Sequence, residues 1–81
     1  MIMEKITIYI ATSEWNNDEG VFVTAKPFRA IEEAFKWAES ENKSFVDLYG
    51  EDCETDIEEN SSIYTSYYDY YINIDITKHE L

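Results

Sequence analysis

The order of apolar and polar residues along the chain predicts extended strands on either side of one helix. Residues 5–11 alternate between isoleucine and more polar side chains, which is typical of a half-buried strand. Residues 16–20 combine Asn, Asp and Gly, so they predict a turn, and residues 21–25 predict the returning strand of a hairpin.

The following stretch has the periodicity of an amphipathic helix. From Ile31 the apolar positions fall at i, i+3, i+4 and i+7, which places them on one face. We expect this helix to run from about residue 28 to 41 and to end in the polar turn 42–44.

The second half of the chain predicts two more strands, a short one at 45–49 and a long one at 63–76, joined by an acidic connection at 50–62. Fourteen extended residues span about 46 Å at roughly 3.3 Å each. Since a domain of this size has a radius of gyration near 12 Å, we expect the long strand to bend at a bulge or to project as an arm. The expected fold is a single α+β domain, residues 1–81, with β-β-α-β-β order and an antiparallel four-stranded sheet that has one helix packed on one face.

Alternation along the long strand predicts which tyrosines point outward. Tyr67 and Tyr71 flank Asp69 on the face expected to be wet, and exposed tyrosine beside aspartate is favourable for protein binding. Alternatively, the tyrosines occur here because aromatic residues favour strands. The tyrosines expected under the helix are Tyr64, Tyr68 and Tyr70.

The two tryptophans differ in their expected roles. Trp15 lies near the predicted hairpin tip, where burial is difficult, so it is the better candidate for an exposed anchor. Trp37 is expected to cover the edge of the sheet.

Charge narrows the classes of function. The chain has 18 acidic and 6 basic residues and a net charge of −12. Between Lys43 and Lys78 there is no Lys or Arg, but there are nine carboxylates and six of the seven tyrosines. Such a stretch repels itself, so a binding role is a better explanation than stability. Direct binding to nucleic acid or to an anionic membrane is disfavoured, because each phosphate would meet a carboxylate.

The acidic connection contains carboxylates at alternate positions from 52 to 58. If extended, they would lie about 6.7 Å apart on one side, which is twice the 3.4 Å rise per phosphate of one DNA strand. The alternatives are a solvated loop and a calcium loop, but Ile57 occupies the position where a calcium loop needs glycine.

Catalytic and cofactor chemistry have little support in the sequence. There is one Cys, one His and two Gly, which argues against a disulfide, a multi-cysteine metal site and a phosphate-binding loop. We expect no enzyme activity, cofactor or metal. No apolar run is long enough for a membrane span, and residues 1–11 do not resemble a secretory leader, so we expect a cytoplasmic protein.

The small size, the acidity, the helix-on-sheet plan and the acidic-aromatic face resemble the small inhibitors that phages encode against bacterial defences. That class includes anti-CRISPR proteins, anti-restriction proteins and uracil-DNA glycosylase inhibitors, several of which are DNA mimics. The resemblance lies in composition over the whole chain, without a diagnostic motif. It implies that the protein acts in a bacterial host cell, where its carboxylates occupy a channel whose Lys and Arg would otherwise hold phosphates.

The expected partner is therefore a basic protein, either a nucleic-acid-binding effector complex or a nuclease. The alternatives are an immunity protein or antitoxin against a basic nuclease toxin, and a housekeeping interaction domain. The candidate partner-binding residues are Glu51, Asp52, Glu54, Asp56, Glu58, Glu59, Asp69, Asp75, Tyr67, Tyr71 and Trp15.

Self-association is a further expectation. Asp69 is the only charged residue in the run 63–74, and an unpaired edge there would invite aggregation. We expect this run to be central in the sheet or covered, with a symmetric homodimer as one way to cover it.

Overall fold

A computed structural model describes residues 6–80 as a five-stranded antiparallel sheet with one helix. The strands lie in the order β2-β1-β5-β4-β3. The α+β class and the single helix are confirmed, whereas the predicted count of four strands is wrong. In chain order the elements are β1 (Thr7–Asn17), β2 (Gly20–Phe28), α1 (Ile31–Tyr49), β3 (Glu54–Glu58), β4 (Ser62–Tyr67) and β5 (Tyr70–Glu80).

The first hairpin is longer than predicted. Strands β1 and β2 pair from Tyr9↔Phe28 to Asn17↔Gly20, so the turn contains only residues 18 and 19. Asn17 caps it, because its Oδ1 accepts a hydrogen bond from the Glu19 N–H at 2.8 Å. The predicted start of β1 at residue 5 lies outside the described residues.

The predicted strand at 45–49 is wrong, because those residues form the last turns of α1. Phe45 and Tyr49 are four residues apart, so they extend the apolar helix face. An ion pair of 3.0 Å between Lys43 and Asp47 crosses the region expected to be a turn. The helix ends at Gly50, whose positive φ of 91° suits glycine and whose N–H binds the Val46 carbonyl.

The predicted long strand is two strands, so it neither bends at a bulge nor projects as an arm. A two-residue turn, Tyr68–Asp69, joins β4 to β5, and the register places Tyr67 opposite Tyr70. Both strands lie inside the sheet, so the expectation that this run is central is confirmed.

Part of the acidic connection is also a strand. β3 pairs with β4 along its whole length, with Thr55 opposite Thr65 and Ile57 opposite Ile63. The alternation of carboxylates with Thr and Ile is the reason, since β-branched residues at every second position favour a strand.

The core lies between α1 and the three inner strands. Its fully buried side chains include Phe45 from the helix and Ile63, Ile72 and Ile74 from the sheet. A polar chain crosses this layer: the Thr65 hydroxyl, itself fully buried, bonds the Thr55 hydroxyl at 2.8 Å and the side-chain oxygen of Asn42. These hydrogen bonds offset the cost of burying the threonine.

The molecule is flat and elongated, with extents of 55 × 23 × 14 Å and a radius of gyration of 14.4 Å. The radius exceeds the roughly 12 Å expected for the chain length, because β1, β2 and β5 are long and one helix covers only part of them. Within residues 6–80, no helix is long and apolar enough to cross a membrane.

Candidate partner-binding surface

The sheet face opposite α1, called the open face below, carries three carboxylates on edge strand β3. Thr65 is buried beneath the helix and pairs with Thr55, so Thr55 faces the helix. The residues that alternate with Thr55 must point the other way. They are Glu54, Asp56 and Glu58, and all are exposed.

A second line of carboxylates, Asp75 of β5 and Glu14 of β1, lies on the open face beyond β4. Ser62 pairs with Glu58 on one side and with Asp75 on the other, so Glu58 and Asp75 lie opposite the same residue, about 10 Å apart across the sheet. Glu14 of β1 lies opposite Asn73, next to Asp75 on this face. Carboxylates from three strands therefore meet on one surface.

Two tyrosines lie between the lines. The rings of Tyr64 and Tyr71 stack with centroids 5.9 Å apart and planes inclined by 27°. The Tyr71 hydroxyl donates to Glu14 Oε2 at 2.9 Å. This hydrogen bond, together with partial burial, raises the pKa of Tyr71.

Among residues 6–80, the carboxylates of the open face take part in no ion pair. In residues 6–80, the ion pairs are Lys43–Asp47 on the helix and Lys78–Glu80 at the end of β5. Neither pair involves Glu14, Asp75 or the β3 carboxylates. Their charges therefore add, and the open face has a negative potential.

An open cavity of about 430 Å³ adjoins the first carboxylate of β3. Its lining is Asp52, Glu54, Ser66 and Tyr68. Tyr68 is 80% exposed and occupies the β4–β5 turn with a positive φ of 53°, a conformation unfavourable for a residue with a side chain. Two carboxylates beside an exposed aromatic ring are suited to an Arg or Lys head group.

Tyrosines also cluster on the helix side at this end of the sheet. Tyr49 stacks on Tyr67 with centroids 5.1 Å apart and lies 5.4 Å from Tyr70. The Tyr70 hydroxyl donates to Asp18, and this bond is the main reason that the pKa of Tyr70 rises to about 12. The contact fixes the β1–β2 turn to the start of β5.

Two predicted anchors do not lie on the open face. Tyr67 faces the helix, so its predicted outward orientation is wrong. The prediction assumed one continuous alternation over 63–76, but the turn at 68–69 shifts the alternation by one residue. Trp15 has the same parity as the buried Ala11 and packs edge-on against Phe45 at 5.3 Å. The expectation of an exposed Trp15 at a hairpin tip is therefore also wrong, since β1 continues past it.

The remaining candidates are divided between the open face and the connecting turns. Tyr71 lies on the open face, as predicted for its outward orientation. Trp37 packs against Phe28 of the edge strand β2, as expected. The candidate carboxylates found in turns are Glu51, Asp52, Glu59 and Asp69.

Three residues of this surface were not among the candidates: Glu14, Tyr64 and Tyr68. Tyr64 was expected under the helix but is 40% exposed on the open face. Tyr68 was also expected there but forms the turn. The signal that could have identified the two tyrosines is the length of the run 63–76, which is long enough for two six-residue strands and a turn.

His79 and Cys53 are the other side chains with potential reactivity. His79 Nε2 lies 2.9 Å from the Thr77 hydroxyl, and this contact is exposed. The pKa of the Cys53 thiol is raised by burial and by Asp52, which disfavours the reactive thiolate. Among residues 6–80, no three His, Cys, Asp or Glu side chains are grouped to hold a metal ion.

Comparison with known proteins adds no relative: no family model matches the chain, and no curated protein matches its sequence.

Proposed function

We propose that this protein is an inhibitor that binds a basic nucleic-acid-binding protein and covers the surface where that protein would hold phosphates. The observation that carries the proposal is the pair of carboxylate lines on the open face, which have no ion-pair partner among residues 6–80. A basic groove is the surface most complementary to them.

The spacing within β3 supports mimicry of a nucleic-acid backbone. Glu54, Asp56 and Glu58 extend along a strand, so their charges repeat about every 6.7 Å. Two phosphates along one DNA strand advance by roughly the same distance along the helix axis. Lys and Arg side chains that follow a nucleic-acid backbone can therefore pair with this row.

The aromatic side chains have a separate role in the proposal. Long-range attraction by the carboxylates speeds the encounter, whereas packed aromatic contacts slow dissociation. Tyr64 and Tyr71 lie between the carboxylate lines, and Tyr68 lies beside the cavity, so each can contact a partner drawn to the acids. Tyr68 also binds the aliphatic stem and charged head of one Arg or Lys.

A DNA mimic of the anti-CRISPR kind, encoded by a phage or mobile element and acting in the bacterial cytoplasm, fits this mechanism. A basic nuclease toxin would meet the same surface in the same way. The gene beside this one separates the two, since a toxin gene indicates an immunity protein and a cluster of genes against host defence indicates a phage inhibitor.

The test is capture from a bacterial lysate on the immobilised protein at about 0.1 M salt, where the Debye length is near 10 Å. The expected result is one basic nucleic-acid-binding protein that added duplex DNA or RNA displaces. Capture that neither nucleic acid displaces would contradict the proposal. Failure to capture any basic protein would indicate an interaction domain whose acidity serves solubility.

A further inference from the structure

Strand β2 forms one edge of the sheet and carries three consecutive exposed apolar side chains. Val21, Phe22 and Val23 are 55%, 51% and 62% exposed. Among residues 6–80, only β1 pairs with β2, so half of the backbone N–H and C=O groups of β2 point away from the sheet. An apolar, unpaired edge of nine residues is a template for another strand.

The opposite edge strand, β3, is protected by its charges against pairing with another copy of the protein. β3 is short and carries Glu54, Asp56 and Glu58, so a second copy of it would be repelled. β2 contains no carboxylate, although the chain has a net charge of −12. Two copies of the protein therefore meet with least repulsion through β2.

The ends of β2 are complementary to each other in charge. The acidic turn Asp18–Glu19 precedes the strand, whereas Lys26 lies near its end and Arg29 follows it. If two copies pair antiparallel with Val23 opposite Val23, Lys26 of each copy lies opposite Gly20 of the other. Its long side chain then reaches the acidic turn of the second copy.

The same register matches the side chains on both faces. Val21 lies opposite Ala25 on the open side, and Phe22 lies opposite Thr24 on the helix side. Pro27 has no N–H to donate, so it marks where the pairing ends.

We propose that β2 is a homodimer interface, in which two copies pair antiparallel about Val23 to form one continuous ten-stranded sheet. Residues opposite each other in antiparallel strands share a face, so both open faces lie on the same side of the dimer. The two acidic surfaces then form one longer surface, with the uncharged β2 pair at its centre.

The first experiment measures mass by sedimentation across a concentration series. The monomer is 9.6 kDa, and the wild type is expected at twice that mass. Val23→Lys places two ammonium groups against each other at the two-fold axis and is expected to weaken association about tenfold or more. Ile57→Lys is the matched control, because Ile57 is a similarly exposed apolar residue on the other edge strand, at 57%.

Circular dichroism of both variants verifies folding. A dimeric wild type, a monomeric Val23→Lys variant and a dimeric Ile57→Lys variant support the proposal. A wild type that is monomeric throughout, or equal behaviour of the two variants, would overturn it.

The second experiment tests the register through its charges. Lys26→Glu and Glu19→Lys each place like charges at both ends of the interface, so each is expected to dimerise more weakly than the wild type. Mixing the two variants restores opposite charges at both ends, and heterodimers are expected at the affinity of the wild type. A mixture as weak as the separate variants would contradict antiparallel pairing about Val23.

Discussion

Tyr71 donates a hydrogen bond to Glu14 across the boundary between β5 and β1, at 2.9 Å. The two residues are 57 positions apart in the sequence and lie on diagonal positions of neighbouring strands. The bond holds the Tyr71 ring against Tyr64, so an aromatic platform and a carboxylate are positioned together on the open face. A preorganised pair of this kind loses little conformational entropy when a partner binds.

The hydrogen bonds of Tyr70 and Tyr71 predict a late phenol titration. Each bond to a carboxylate stabilises the neutral phenol, so the pKa of Tyr70 rises to about 12 and that of Tyr71 rises above its usual value. Absorbance at 295 nm should show these two phenols ionising after an ordinary tyrosine. Tyr70→Phe should remove the titration near pH 12; its persistence in that variant would contradict the assignment.

The same shift predicts how stability depends on pH. Because the pKa of Tyr70 is higher in the folded state than in the unfolded state, where it is about 10, the bond to Asp18 contributes its full stabilisation of the fold at pH values below about 10. That contribution is lost as the pH rises towards the folded value of about 12. The free energy of unfolding of the wild type should therefore decrease more steeply between pH 10 and 12 than that of Tyr70→Phe. Equal slopes, measured by urea unfolding, would show that the bond to Asp18 is absent in solution.

The Tyr68 backbone predicts an order of stability among substitutions. Its φ of 53° is favourable only for glycine, and a residue with a side chain costs about 1–2 kcal/mol there. Tyr68→Gly should therefore be more stable than Tyr68→Ala by about 1 kcal/mol in urea unfolding. The reverse order would contradict the turn geometry. Both variants remove the exposed ring, so both should dissociate faster from the partner.

The buried threonine chain predicts a penalty for removing one hydroxyl. Thr65→Val keeps the shape of the side chain but leaves Asn42 and Thr55 without their shared partner. The free energy of unfolding should decrease by about 1–3 kcal/mol. Thr55→Val is the matched control, because Thr55 is the exposed member of this hydrogen-bonded set. It should lower the free energy of unfolding less than Thr65→Val does. Equal losses would show that burial of Thr65 does not determine the cost.

The helix illustrates what local pattern can predict. The 3.6-residue periodicity from Ile31 identified α1, since amphipathic spacing reports burial directly. Its end was missed because the polar residues 42–44 resemble a turn. In the structure the helix continues through them: Lys43 and Ser44 are exposed, whereas Asn42 faces the sheet and bonds Thr65. Phe45 and Tyr49 restore the periodicity one turn later, and only packing against the sheet favours the longer helix.

The tyrosine strand shows where alternation alone is insufficient. A two-residue turn places Tyr67 and Tyr70 on the same face, so the alternation shifts by one residue there, and the run of tyrosines on both sides of the turn hides that shift in the sequence. The turn contains Tyr68 rather than glycine, which removes the usual signal. For this reason Tyr67 was assigned to the wrong face, whereas Tyr71 was assigned to the open face correctly.

The carboxylate row was predicted more successfully, because its geometry depends only on extension. Alternate positions of an extended segment share one side, and β3 places Glu54, Asp56 and Glu58 in that way, whereas Asp52, the first member of the predicted row, lies in the turn before β3. The second line could not be predicted, because Glu14 and Asp75 join it only through the pairing of β1 with β5. Composition carries no information about that register.

The measurement that tests the central claim most directly is partner binding by two matched triple variants. Glu54→Lys/Asp56→Lys/Glu58→Lys reverses the row on the open face. The control, Glu32→Lys/Glu33→Lys/Glu39→Lys, reverses three exposed carboxylates of α1, so both variants have the same net charge. Circular dichroism and thermal unfolding first verify that both fold.

Affinity for the captured partner is then measured across a range of salt concentrations. At roughly 0.5 kcal/mol for each exposed pair that is lost, the open-face variant should bind at least about tenfold more weakly, with a smaller dependence on salt. The helix variant should bind like the wild type. Equal binding by the two variants, with the salt dependence of the wild type, would contradict electrostatic recognition through the open face.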